Sequence, residues 1–149
     1  MATEREYPYA QFNFLVDIGA GTDGMKAGFQ EVSGLSLDVT VAEYRAGNSK
    51  ENSPMKVNTI HKLGDVTLKR GVIGASDLWK LVEEVRNGTQ VRGKTVIIQL
   101  MDELHQNVAM KWTLKEARPI KYSGPSLSGK GSDVAIEELT FAYERLEVE

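Results

Sequence analysis

The stretch "AEYRAGNSKENSPMKVNTIHKLGDVTLKRG", Ala42 to Gly71, opens and closes on strand-like residues, and between them Gly47 to Pro54 are all polar, Gly or Pro. Upstream, Ser36 to Ala46 alternates, with Leu37, Val39 and Val41 on one face and Thr40, Ala42 and Tyr44 on the other. Downstream, Val57, Thr59 and His61 alternate with Lys56, Asn58 and Ile60, and "VTLKRG" follows after a Gly64-Asp65 break. Period two marks strands, and Gly/Pro clusters mark their turns. The stretch therefore predicts an extended hairpin, at about residues 44–62, in a protein built mainly of strands. A long polar loop inside a compact domain is usually functional or disordered.

The rest of the chain agrees. Phe12, Phe14, Val16 and Ile18 alternate with Gln11, Asn13 and Asp17, with Leu15 breaking the pattern, and "GAGTDG" (Gly19–Gly24) reads as the turn to a return strand in "KAGFQEVSGL". "TVIIQLMD" (Thr95–Asp102) and "VAMKWTLKEA" (Val108–Ala117) predict a hairpin across "ELHQN". One helix is clear in "SDLWKLVEEVRNG". Ser76 suits the N-cap, Asp77 the first turn and Gly88 the left-handed position past the end. Leu78, Leu81, Val82 and Val85 form one apolar stripe. The closing "DVAIEELTFAYERLEVE" fits two patterns: Ile136, Leu139, Tyr143 and Leu146 at helical spacing, or Leu139, Phe141 and Tyr143 at strand spacing. Many short strands with Gly-rich turns predict a sandwich or barrel.

Composition bounds the function. The chain has 149 residues, 41% hydrophobic and 26% charged, with net charge −3, as expected of one ordinary globular domain. That balance provides no electrostatic footprint for nucleic acid. There is no cysteine, which excludes disulfides, thiol catalysis and Cys-based zinc sites. No run is long enough to span a membrane. The start, Met1–Arg5, is polar with no apolar segment after it, so the expectation is assembly in the cytoplasm without a signal peptide.

Catalytic patterns are thin. "GAGTDG" matches a dinucleotide fingerprint, but strand-like residues follow where a helix must stand. "GPSLSGKGS" (Gly124–Ser132) lacks the Ser or Thr that a phosphate loop carries after its Lys; Gly131 stands there. His61 and His105 sit in no metal-ligand spacing. Glu83-Glu84 and Glu137-Glu138 read as solvated faces. Trp79 or Trp112 could serve as a ligand platform, with Trp112 fitting the core better. The expectation is no enzyme and no cofactor.

The ordered set "YPYAQFNFLVDI", "FQEVSGL" with "EYRAG", "GDVTLKRGV", "DLWKLVEEVRNG", "TVIIQLMDE", "WTLKEARPIKY" and "DVAIEELTFAYERLEV" resembles the tail tube proteins of contractile phage tails and contractile injection systems, from Tyr7 to Val148. The resemblance implies a mainly β fold: two antiparallel sheets packed as a barrel-like sandwich with one flanking α-helix, the C-terminal segment being a strand. It also implies six copies in a ring and rings stacked into a hollow tube. The implied partners are a sheath, a baseplate or hub, tube-terminating proteins and cargo in the lumen, with no specific nucleic acid and no membrane insertion. The particle would be extracellular or cell-associated. On this basis Lys111, Thr113 and Lys115, opposite Met110, Trp112 and Leu114, are expected to face the lumen. The tip residues Arg45, Asn48, Lys50, Glu51 and Asn52, with Lys56, are expected to touch the adjacent ring. The alternatives are a tube-initiator subunit of the baseplate and a monomeric ligand-binding β-barrel; a nucleotide site at Gly124–Ser132 is more remote.

Overall fold

The computed structural model describes residues 4–18, 28–74, 76–88 and 93–149. The expected Gly19–Gly24 turn lies outside them. The elements run β1 (Phe14–Asp17), β2 (Glu31–Ser33), β3 (Leu37–Tyr44), β4 (Met55–Leu63), β5 (Val66–Gly71), α1 (Asp77–Arg86), β6 (Lys94–Met101), β7 (Val108–Ser123), β8 (Ile136–Ala142) and β9 (Arg145–Val148). Among the described residues no helix is long and apolar enough to cross a membrane.

The main sheet has the order β1-β6-β7-β8-β5-β2, with β9 also on β7, and every pairing is antiparallel. The long strand β7 belongs to two layers. Its first half pairs with β6 and β9, and its second half pairs with β8. Between the halves Glu116 takes φ 55°, a left-handed conformation that re-aims a strand at a bulge. Gly93 makes the bend possible: a Cβ there would overlap the Glu116 backbone. The result, among the described residues, is a barrel-like sandwich that stays open between the outer strands β1 and β2.

The core follows the alternation. Val66 and Leu68 of β5, Val96 and Ile98 of β6, Leu114 of β7, and Leu139 and Phe141 of β8 are buried between the layers. Burying each such side chain stabilises the fold by about 1.5–3 kcal/mol. The helix adds Leu78 and Leu81, with Val82 packed at the margin. The C-terminal segment is strand, because the apolar phase 139–141–143 faces the core and Leu146 packs beside it.

Four local expectations change. Ser76 makes no side-chain cap hydrogen bond; the helix start is held by Asp77 instead, as described below. Val85 is exposed, since the stripe extends past the sheet it covers. Phe12 is also exposed, because β1 begins only at Phe14. Glu137 is buried rather than solvated.

Candidate assembly surface

The hairpin is longer at its base than the sequence reading placed it. β3 and β4 pair from Leu37↔Leu63 to Tyr44↔Met55 as a separate two-stranded ribbon. All of its residues are exposed except Leu63 at its base. Isolated two-stranded ribbons are marginal in water, yet this one displays Val39, Val41, Tyr44, Met55, Val57 and Ile60 to solvent.

The register explains how the ribbon distributes them. Val39 pairs with His61, but Val41 pairs with Asn58, so β4 holds one extra residue between the two rungs. The Thr59 hydroxyl closes the bulge by donating to the Thr40 carbonyl at 2.7 Å. Leu37, Val39 and Val41 therefore share one face with Leu63 and His61. Beyond the bulge, Met55 and Val57 move to the opposite face, beside Tyr44 and Ala42. The ribbon thus has an apolar patch on each face, one near the base and one near the tip.

The tip is internally braced. Arg45 donates from Nε to the Glu51 carbonyl (3.1 Å) and from Nη2 to the Ser49 carbonyl (3.2 Å), with the Asn52 side-chain oxygen at 3.5 Å. Ser49 Oγ also donates to the Glu51 carbonyl. Of the expected tip contacts, Arg45 and Asn52 are thus engaged within the loop, while Asn48, Lys50 and Glu51 present exposed side chains. Lys56 lies across from Glu43 on the ribbon.

Lys111, Thr113 and Lys115 share the face of β7 turned from the core. Trp112 and Leu114 point inward, and Met110 is partly exposed. The two lysines are not isolated: Lys111 reaches Glu149 (3.9 Å) and Lys115 reaches Glu147 (3.1 Å), which also takes Arg145 (3.1 Å). Thr113 pairs with Glu147 in register. This face therefore carries both signs of charge.

The open side of the sandwich is a cleft of about 600 Å³. Phe12 and Phe14 lie on one wall and Val32 and Leu35 on the other, over Ile98 and Trp112. Trp112 thus serves core and cleft together. Trp79 is not free: it meets Tyr122 edge-on at 5.4 Å, and the Arg86 guanidinium lies 5.5 Å from its ring. Gly124–Ser132 is a loop leading into a strand, β8, with no helix to receive a phosphate.

Sequence reasoning missed one buried constellation. Arg70, 1% exposed, donates from Nε and Nη2 to the same Glu137 oxygen (3.1 and 2.7 Å) and bidentately to Asp77 (3.0 and 2.6 Å). Tyr122 donates its hydroxyl to the other Glu137 oxygen at 2.8 Å. Arg70 and Glu137 are direct partners across β5 and β8. The hydrogen bonds from Arg70, more than any other influence, hold the Asp77 carboxyl below the usual range. Hydrogen bonding to Glu137 pushes the Tyr122 hydroxyl up. This cluster fastens the start of α1 to the sheet. Its sequence signal was phase: Arg70 and Glu137 fall on the inward positions of strands whose other inward residues are Val66, Leu68, Leu139 and Phe141.

Comparison with known proteins agrees with this architecture. A search of curated proteins gives no match. Among solved structures, the chain resembles one in the extended sheath-tube complex of the PVC extracellular contractile injection system, at 26% identity and TM-score 0.84, covering 97% of this chain and 93% of that one. It also resembles a chain of the 6-fold symmetrised anti-feeding prophage baseplate, at 25% identity and TM-score 0.85, covering 97% of each. A chain in the anti-feeding prophage tube-terminating cap shares the fold at 23% identity and TM-score 0.84, covering 100% of this chain and 95% of that one. The T4-like virus tail tube protein gp19 family matches residues 10–147, nearly the full length with the ribbon included, and the chain belongs to that family.

Proposed function

We propose that this tail tube protein forms six-membered rings that stack into a conduit inside a contractile sheath, with the β3–β4 ribbon carrying the contact from one copy to the next. The observation that carries this reading is the ribbon itself. It has an apolar patch on each face and no core of its own, and contiguous exposed apolar surface of this kind marks interaction sites. The expected polar tip contact is thereby extended: Asn48, Lys50 and Glu51 meet the neighbour at the end, and the apolar faces bury behind them.

The sheet edges support the ring. β1, β6, the first half of β7 and β9 alternate in direction, an even number of strands. Rotation about a ring axis preserves strand direction, so β9 of one copy beside β1 of the next continues the antiparallel pattern. Closure of this kind removes the edges that would otherwise invite aggregation. The 6-fold symmetry of the similar baseplate assembly supports a ring of six, and the similar sheath-tube complex supports a sheath as the outer partner. Lys111, Thr113 and Lys115 would then line the lumen, beside Glu147 and Glu149. The chain acts as one tube domain whose work is mechanical, passing cargo without catalysis, in a particle that operates outside the cell that built it.

Sedimentation and negative-stain microscopy of the purified protein test this. Rings of six and their stacks are the expected species. Monomers at every concentration, with no recruitment by a baseplate, would overturn it.

A further inference from the structure

The ribbon joins the body through a narrow crossing. Before β3 the chain runs Gly34-Leu35-Ser36, and after β4 it returns through Gly64-Asp65. Gly34 has φ +91°, and a Cβ there would overlap the Asp65 carbonyl oxygen. A Cβ on Gly64 would overlap Ser36 Oγ and lie 3.0 Å from the Gly34 carbonyl oxygen. The Gly64 N–H donates to the Ser36 carbonyl at 3.0 Å. The two segments thus meet backbone to backbone, with no space for a side chain between them.

Around this contact the chain is anchored. Leu35 and Leu63, each next to one of the glycines, pack against the core. Tyr143 is buried beneath, its hydroxyl turned toward the Ser36 backbone and Asp65 without reaching hydrogen-bond geometry. Beyond the crossing the ribbon's two strands have no buried residue past the base, on either face, among those described. Its direction is therefore set at the crossing. The other left-handed glycines among the described residues differ: Gly74 (φ +84°) and Gly88 (φ +78°) have open space where a Cβ would stand.

We propose that this crossing is the positioning element that aims the ribbon. Gly34 and Gly64 allow the two backbones to touch, Leu35 and Leu63 pin them, and the exit angle so fixed decides where the tip meets the next copy. The aim is a property of the single chain; its consequence for assembly rests on the docking reading above. A tilt of about 10° at the root of an eight-residue strand, ~26 Å long, carries the tip about 5 Å.

Because the chain has no cysteine, Asn48→Cys at the tip and Glu84→Cys on the exposed side of α1 give one spin-label pair. Dipolar distances are measured on dilute, unassembled protein. Gly34→Ala should shift the tip-to-body distance by about 5 Å or broaden it to a similar extent, as the tilt estimate gives. Gly74→Ala, with a similar φ but open space, should keep the parent distance. Gly64→Ala should deflect the ribbon less, because Ser36 Oγ can rotate away, and Ser36→Gly in the same chain should restore it. Parent distances in both Gly34→Ala and Gly64→Ala would overturn the proposal. So would loss of the folded body in Gly34→Ala with a parent distance in Gly64→Ala. A deflected ribbon that still elongates tubes normally would leave the aiming role standing and refute the docking reading instead.

Discussion

Arg70 is 1% exposed and holds two carboxylates, Glu137 and Asp77, so its loss should be felt across the body. Replacing it with Met leaves the buried Glu137 without its cation and with only the Tyr122 hydroxyl as partner, so Arg70→Met should cost about 3–5 kcal/mol, read from denaturant unfolding. Acid should act through the same cluster. Asp77 lies below its unfolded value of about 3.9, so it contributes stability above that value and loses it as pH falls through the folded one. The wild-type protein should therefore lose stability on acidification below about pH 4 more steeply than Asp77→Asn, a difference that unfolding curves between pH 2 and 5 will register. Both charged residues stood on inward strand positions in the sequence. They were illegible as a pair because adjacency with Glu138 made Glu137 look solvated, and only register brings it opposite Arg70.

Element by element, the sequence was readable wherever one face is buried. The strand β5 and the helix α1 fall where periodicity put them, and β8 resolves because residues 139, 141 and 143 share the inward face. The ribbon was legible as a hairpin but not as a two-faced one. A one-residue bulge leaves no mark on either strand's own alternation, so the transfer of Met55 and Val57 to the other face appears only in the pairing. It has a consequence. Met55→Glu with Val57→Glu should leave the free subunit within about 0.5 kcal/mol of wild type, since both residues are exposed, yet abolish elongation. Replacing Asn48–Ser53 by a short Gly-Ser turn should likewise leave the subunit folded and ring-forming but unable to extend, as microscopy would show by rings without tubes. On β7, Lys115→Glu sets like charges beside Glu147. The lost pair is exposed and worth about 0–1 kcal/mol, so folding should persist while the admitted cargo charge changes. An unfolded Lys115→Glu would mean that this face is packed rather than open.

At the scale of the molecule, among the described residues the sandwich is open between β1 and β2, β9 pairs with β7 alone, and the ribbon stands exposed on both faces. Family membership was legible from the ordered set of segments, which spans Tyr7 to Val148. The ring of six and the neighbour contacts came from the resemblance alone and stay proposals, because nothing within one chain fixes what covers an edge. The central claim is that the ribbon, already paired in the single chain, is covered and stabilised by other copies. Amide hydrogen exchange of residues 37–63, compared between free subunit and assembled tube, tests it most directly. The ribbon amides should exchange quickly in the free chain and slow by about a hundredfold or more in the tube, while those of β5 and β8 hold their protection in both. Ribbon amides that exchange equally fast in both states, or are equally protected in both, would contradict it.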